Sequence, residues 1–391
     1  PQEVTGPPTR HPEMTISRRK FAQLLGAGAA AAVARPALSF AKEAAPTPVA
    51  ASSIVRLSSN ENPYGPSAKA FKAMTDAFGL ANRYPDEQAD ILVEALAKLN
   101  GVERGQILLG DGSGEILKLC ADVFTGPLTN EAKKPSGQLV VAEPTFEAIL
   151  YHAKLAGAEI VKVPLTPGFA HDLPKMRGAA KKGVIYICNP NNPTASITPA
   201  KEIRDFIART PNDTMILVDE AYHHYADSPE YESMIPLVKD QPNLIVARTF
   251  SKIYGMAGLR CGYCVAQSYT VERLRERQSW DSTNIMALVA AGASLEDTEQ
   301  VSKGRELNAE TRAFTNGELR KMGFEGVPSQ ANFIMVDLKR PVVPIIQTLK
   351  SRQIQVGRLF PAMPNHLRLT IGKKAEMEAF LAAFREIVVP A

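Results

Sequence analysis

The 391-residue chain has four cysteines, and they form no disulfide framework. The one close pair, Cys261-Gly262-Tyr263-Cys264, lies in a strand-like segment. It reads as core rather than as a redox or metal site, and Cys188 also reads as buried. Histidine is scarce too, with six residues in all. The adjacent His223 and His224 lack further ligands at metal spacing, so no zinc site is proposed. No internal repeat is evident, which argues against a solenoid. Neither sign of charge dominates. There are 45 basic and 41 acidic residues for a net +4, and Arg18, Arg19, Lys20 and Arg35 near the start contribute to it. No basic stripe interleaved with aromatics points to nucleic acid. The longest weakly apolar run, Ala22 to Ala34, is too short and too rich in Ala and Gly for a comfortable membrane span. What the chain does have is 45% hydrophobic residues, enough for a large core and two domains.

The chemistry is concentrated in three places. Thr249-Phe250-Ser251-Lys252 follows the apolar run Leu244-Ile245-Val246-Ala247, and Arg260 comes eight positions after the lysine. A lysine at the end of a buried strand is costly unless it is used, and one use is an imine with an aldehyde cofactor. Thr249, Ser251 and Arg260 would then hold a phosphate. Upstream, the strand-like Val184-Ile185-Tyr186-Ile187-Cys188 ends in Asn189-Pro190-Asn191-Asn192-Pro193-Thr194. Met215-Ile216-Leu217-Val218 ends in Asp219-Glu220-Ala221-Tyr222. Both polar clusters follow the C-terminal ends of apolar strands, where open α/β sheets place ligands. A carboxylate directly after four apolar residues needs a cationic partner, and a protonated pyridine nitrogen would be one. A further Gly-rich turn, Gly110-Asp111-Gly112-Ser113-Gly114-Glu115, sits between a strand-like Ile107-Leu108-Leu109 and a helical Ile116-Leu117-Lys118-Leu119. Such a turn presents free backbone N–H groups and a positive helix end to an anion.

This order of motifs resembles the fold-type I pyridoxal-phosphate aminotransferases. Asn60-Glu61-Asn62-Pro63-Tyr64-Gly65, Arg83-Tyr84-Pro85-Asp86, Pro144-Thr145-Phe146 and Leu367-Arg368-Leu369-Thr370-Ile371-Gly372 resemble the histidinol-phosphate aminotransferase branch. The likeness runs from about residue 54 to 391. It implies an α/β fold, with a large domain built on a mostly parallel mixed sheet flanked by helices, plus a smaller α+β domain. It implies pyridoxal 5'-phosphate as cofactor, small amino-acid and 2-oxo-acid substrates, and a homodimer with shared active sites. By the same resemblance Lys252 forms the imine and moves the proton between substrate and cofactor. Asp219 pairs with the ring nitrogen, Asn192 and Tyr222 hydrogen-bond the 3′ oxygen, and Phe146 stacks on the ring. Ser113, Gly114, Thr249, Ser251 and Arg260 bind the phosphate. The likeness at Gly114 extends to backbone donors only, because the family more often has aspartate there. Tyr84 is expected to reach the phosphate of the partner subunit. Arg368 is expected to clamp the substrate carboxylate, with Arg358 nearby; Tyr64, Asn332 and Phe333 are expected to line the pocket.

The start of the chain carries a separate expectation. Ser17-Arg18-Arg19-Lys20-Phe21 before the apolar run looks like a twin-arginine export signal, with Ser39-Phe40-Ala41 as a cleavage site, and so predicts a periplasmic enzyme. Gly26-Ala27-Gly28-Ala29-Ala30-Ala31 fits a loose dinucleotide fingerprint, but it follows no strand and is discarded. The predicted organisation is upstream residues and signal over 1–41, linker and arm over 42–80, the large cofactor-binding domain over 81–275 and the small domain over 276–391. The segment from Leu128 to Gly137 reads as an exposed loop. The favoured function is amino transfer from histidinol phosphate or an aromatic amino acid to an acceptor such as 2-oxoglutarate. Two alternatives stay open: a decarboxylase of an amino-acid phosphate, and a catalytically idle periplasmic binding protein.

Overall fold

The structure is a computed structural model, and it describes residues 54–126 and 137–388. The export-signal segment, the linker before residue 54 and nearly all of the predicted 128–137 loop lie outside the described residues.

In chain order the strands are β1 (Val55–Leu57), β2 (Ile107–Gly110), β3 (Gln138–Glu143), β4 (Glu159–Pro164), β5 (Gly183–Cys188) and β6 (Thr214–Asp219). They continue with β7 (Leu244–Thr249), β8 (Gly262–Ala266), β9 (Glu325–Gly326), β10 (Phe333–Asp337), β11 (Ile354–Val356) and β12 (His366–Thr370). Seven of them form the main sheet in the order β2-β8-β7-β6-β5-β3-β4. Within this sheet β8 runs opposite to the other six strands, antiparallel to both β2 and β7.

The three central strands β5, β6 and β7 are buried at every position. That is the demand on a parallel strand with helices on both faces, and it explains why each reads as an apolar run and not as an alternation. Side-chain alternation still divides them between two cores. Ile185, Ile187, Ile216, Val218, Leu244 and Val246 face one core. Val184, Tyr186, Cys188, Met215, Leu217, Ile245 and Ala247 face the other, against the helix Gly112–Thr125. The register pairs Cys188 with Asp219 and Asp219 with Ala247. The polar loops after the three strands therefore emerge side by side at one edge of the sheet.

A second group of strands brings distant sequence to the same edge. β12, β10 and β9 form an antiparallel sheet, and β1 pairs in parallel with β11. Their core includes Leu57, Ile334, Leu367 and the stacked Phe380 and Phe384 of the helix Lys374–Val388. Full burial of one such phenylalanine contributes about 1.5–3 kcal/mol. Ser67 caps the helix Ala68–Ala77, its hydroxyl accepting from the Ala70 N–H at 3.2 Å. That helix packs on Ile285–Leu295. Gly255 marks a close approach of two backbone segments. Its φ is +70°, and a Cβ there would lie 2.1 Å from the Gly65 carbonyl oxygen, so only glycine lets the lysine loop pass under the Asn62–Gly65 turn.

Candidate active site

The strand ends and the C-terminal sheets together enclose a cavity of about 340 Å³. Twelve of the residues singled out in the sequence line it: Ser113, Gly114, Phe146, Asn192, Asp219, Tyr222, Thr249, Ser251, Lys252, Arg260, Arg358 and Arg368. Tyr64 and Tyr84 do not. Tyr84 is 80% exposed. Tyr64, expected in the pocket, is turned outward by the turn in which Gly65 N–H donates to the Asn62 carbonyl, and its ring lies 5.8 Å from Lys373 Nζ. Asn332 and Phe333 stand behind the wall. Asn332 Nδ2 donates to the carbonyls of Asn60 (3.0 Å) and Glu61 (3.2 Å), and Phe333 packs edge-on against Tyr222.

Lys252 Nζ donates to the Asn60 carbonyl at 3.1 Å and lies 5.5 Å from the Tyr222 ring centroid. Burial lowers its pKa to about 8, and the positive charge of Arg368 works in the same direction. The lysine thus supplies neutral amine far below the usual ammonium range. Asp219 is buried, and burial pushes its pKa up to about 6. It stays within hydrogen bonds, Oδ2 accepting from Tyr186 Oη at 2.8 Å and Oδ1 from the Ala221 N–H at 3.1 Å. Tyr222 Oη accepts from Asn60 Nδ2 at 3.0 Å and has Asn192 Nδ2 at 3.5 Å. Asn192 Oδ1 accepts in turn from Arg368 Nη1 at 2.9 Å. Arg368 also donates to the Ser58 carbonyl, its guanidinium lies over the rings of Phe333 and Phe360, and its Nε is buried without a partner.

The opposite end of the cavity is an anion cradle. The helix Gly112–Thr125 begins four residues before the expected Ile116, so Ser113 and Gly114 stand in its first turn, where backbone N–H groups have no intrahelical acceptor. Thr249 Oγ1 donates to Ser251 Oγ at 2.9 Å, and Arg260 Nη1 lies 3.4 Å from Ser251 Oγ. Arg260 has a left-handed φ of +63°, a rare conformation for a non-glycine residue and one often found at functional sites. Gly112 makes room for it, because at φ +71° a Cβ on Gly112 would stand 2.1 Å from Arg260 Nη2. We expect Gly112→Ala to weaken cofactor binding about tenfold by displacing the guanidinium, with a smaller loss of stability of about 1 kcal/mol from the strained φ. Titration of the apoprotein with cofactor checks this beside a thermal melt, and unchanged affinity would remove the role.

Three contributors were given no role in the sequence reading. Asn60, with φ +54°, joins Lys252, Tyr222, Asn332 and Thr370 through its backbone and side chain. Its place at the head of the Asn60-Glu61-Asn62-Pro63-Tyr64-Gly65 motif was the available signal. Tyr186 sits inside an apolar strand and looked like core. Glu147 follows Phe146 and pairs with Arg358. The histidines sit apart from the cavity chemistry: His223 and His224 rings pack together, and burial holds His223 neutral, its pKa lowered to about 3. Cys261 and Cys264 are buried with free thiols that burial raises to about 12.

Residues 52–384 match the family Aminotransferase class I and II. The chain belongs to that family. A histidinol-phosphate aminotransferase of Symbiobacterium thermophilum is 37% identical over 85% of this chain and 90% of its own length. One of Moorella thermoacetica is 36% identical over 86% of each. The crystal structure of histidinol-phosphate aminotransferase from Sinorhizobium meliloti in complex with pyridoxal-5'-phosphate superposes with a TM-score of 0.79 at 27% identity, covering 86% of this chain and 91% of that one. The chain is thus an aminotransferase with the fold-type I architecture, acting on small amino-acid substrates, and its cofactor is pyridoxal 5'-phosphate. The residues present suit that group. A neutral-leaning lysine, a buried carboxylate with no ion pair among the described residues, and a glycine-floored arginine at a helix start match an aldehyde, a ring nitrogen and a phosphate. Among the described residues no helix is long and apolar enough to cross a membrane.

Proposed function

We propose that this aminotransferase takes the amino group from histidinol phosphate or an aromatic amino acid and passes it to a 2-oxo acid such as 2-oxoglutarate. The observation that carries the reading is the placing of Lys252 in one cavity with Asp219, Arg260 and Arg368. The bound cofactor supplies an aldehyde that receives the amine and a ring that draws electron density from the substrate Cα. Arg260, Ser251, Thr249 and the N–H groups of Ser113 and Gly114 hold its phosphate. Asp219 would pair with its ring nitrogen, Asn192 and Tyr222 would hydrogen-bond its 3′ oxygen, and Phe146 would stack on its ring. Lys252 would hold the aldehyde and would be the base for the proton at the substrate Cα. Arg368 presents an unpartnered Nε and a guanidinium backed by Phe333 and Phe360, suited to an α-carboxylate.

The donors named come from the curated relatives and from the aromatic side chains around the cavity. We also propose a homodimer, supported by the exposed Tyr84 and Trp280, the latter 94% exposed. Export through a route for folded proteins, on the strength of Ser17-Arg18-Arg19-Lys20-Phe21, would suit an enzyme loaded with cofactor before it leaves the cytoplasm. The division into a large domain over 81–275 and a small one over 276–391 belongs to the same proposal.

Rapid mixing of holoprotein with single donors tests the function. One donor should bleach the cofactor's visible band and release its 2-oxo acid, identified by mass spectrometry. Carbon dioxide release without oxo acid would reassign the chain to decarboxylation. No conversion with any donor would leave a binding protein.

A further inference from the structure

The two arginines at the substrate end of the cavity are not equivalent. Arg368 is largely enclosed and has no carboxylate partner among its hydrogen bonds. Arg358 forms an ion pair with Glu147, the residue that precedes the helix Ala148–Leu155, and its Nη1 donates to the Leu359 carbonyl at 3.0 Å. Both guanidiniums lie over Phe360, at 4.5 Å for Arg358 and 5.1 Å for Arg368. Glu147 and Arg358 both line the cavity. The lining carries four cations, Lys252, Arg260, Arg358 and Arg368, against two carboxylates, Asp219 and Glu147. With Arg260 on the cofactor phosphate and Lys252 and Asp219 on its ring and aldehyde, Glu147 cancels Arg358. Among the described residues, Arg368 is then the one lining cation left for the substrate.

We infer that Glu147 sets the charge of the substrate: the enzyme favours donors and acceptors whose one anion is an α-carboxylate, with a neutral and preferably aromatic side chain, over histidinol phosphate, whose anion is a phosphate dianion in place of a carboxylate, and over dicarboxylates. This rests on the aminotransferase reading, decides between its two donors, and narrows its acceptor from 2-oxoglutarate to a 2-oxo acid without a second carboxylate. A phosphate dianion or a second carboxylate asks for two cations. It must part Arg358 from Glu147 and then stand beside an unpaired carboxylate. A neutral side chain leaves the pair closed and meets Phe146 and Phe360 instead. Glu147 therefore acts by repelling the wrong partner as much as Arg368 does by holding the right one. Both members of the pair are about half exposed, so screening keeps the effect to roughly tenfold and not thousands.

The test compares the holoenzyme with its Glu147→Gln variant, which keeps the side chain's size on an exposed position. Half-reactions are followed with phenylalanine, histidinol phosphate and glutamate, and inorganic phosphate is titrated as an inhibitor. The wild type should show a kcat/KM for phenylalanine about tenfold or more above the other two. In Glu147→Gln that ratio should shrink about tenfold, and phosphate should inhibit at about tenfold lower concentration. An identical ratio and identical phosphate inhibition in the two proteins overturn the inference while the aminotransferase reading stands. If none of the three donors changes the cofactor spectrum in either protein, the reading itself fails and takes the inference with it.

Discussion

Lys252→Ala is expected to slow the half-reaction by about 10⁴-fold or more while leaving the fold in place. The chemical loss would be large because, in the proposed role, one nitrogen would serve both as anchor for the cofactor's aldehyde and as base toward the substrate Cα. The structural loss is small for a reason visible in the hydrogen bonds. The Asn60 carbonyl that accepts from Lys252 Nζ also accepts from Asn332 Nδ2 at 3.0 Å, so truncation strands no buried acceptor. It also removes a positive charge that sits near Arg368. The measurement is a set of single-turnover rates beside a thermal melt, with borohydride reduction and peptide mass spectrometry to find the cofactor on residue 252 in the wild type only. Turnover within tenfold of wild type would remove Lys252 from the chemistry. The wild type carries a pH signature as well. Because burial and Arg368 lower its pKa to about 8, the neutral amine fraction rises as pH rises through about 8, two units or so below an exposed lysine. Capture of added cofactor by the apoprotein should accelerate over that range and level off above it.

The parts of the site that were legible in the sequence are those built by single strands. β5, β6 and β7 must be apolar throughout because both their faces are covered, so a polar cluster at the C-terminal end of each run stands out and marks the ligand edge. Lys252, Asp219 and Asn192 follow directly. The parts that were not legible depend on pairings between distant segments. Asn60 reaches the cavity only because β1 pairs with β11 and its own amide is held by Thr370 of β12. Glu147 acquires meaning only when Arg358 is brought across to it. Gly112 was hidden by a helix that starts one turn earlier than its apolar residues announce. Tyr64 illustrates the reverse case. It belongs to a motif that enters the site, yet the turn that carries it points the ring elsewhere. Sequence pattern indicates which segment arrives at the site, and local turn geometry decides which side chain faces inward.

Asp219→Asn is expected to cost about 10²–10³-fold in the half-reaction and, in the apoprotein, to flatten the dependence of stability on pH. The carboxylate is 2% exposed, and burial raises its pKa from 3.8 to about 6, so without a cation on the ring side its charge is unfavourable. Because the folded pKa lies above the unfolded one, the folded apoprotein binds more protons than the unfolded chain between about pH 4 and 6. Stability therefore falls as pH rises through that window, by on the order of 3 kcal/mol in full. Asparagine has no proton to lose, so the variant's stability minus that of the wild type should rise over the same window and stay constant above it. Added cofactor should reverse the order. A protonated ring nitrogen gives the Asp219 carboxylate its partner, and the wild type should gain more from cofactor than the variant does. Tyr186 separates charge from geometry. Its hydroxyl lies on the same sheet face as Asp219, diagonal to it across β5 and β6, and donates to Oδ2. Tyr186→Phe keeps the carboxylate but removes a bond to its charged form, so the apoprotein's pH slope should persist with the upper end of its window moved upward. Urea or thermal unfolding of the three apoproteins from pH 4 to 8 reads this directly. Parallel slopes in wild type and Asp219→Asn would mean that the carboxylate is not held in the state its surroundings impose, and the ring-nitrogen role would lose its physical basis.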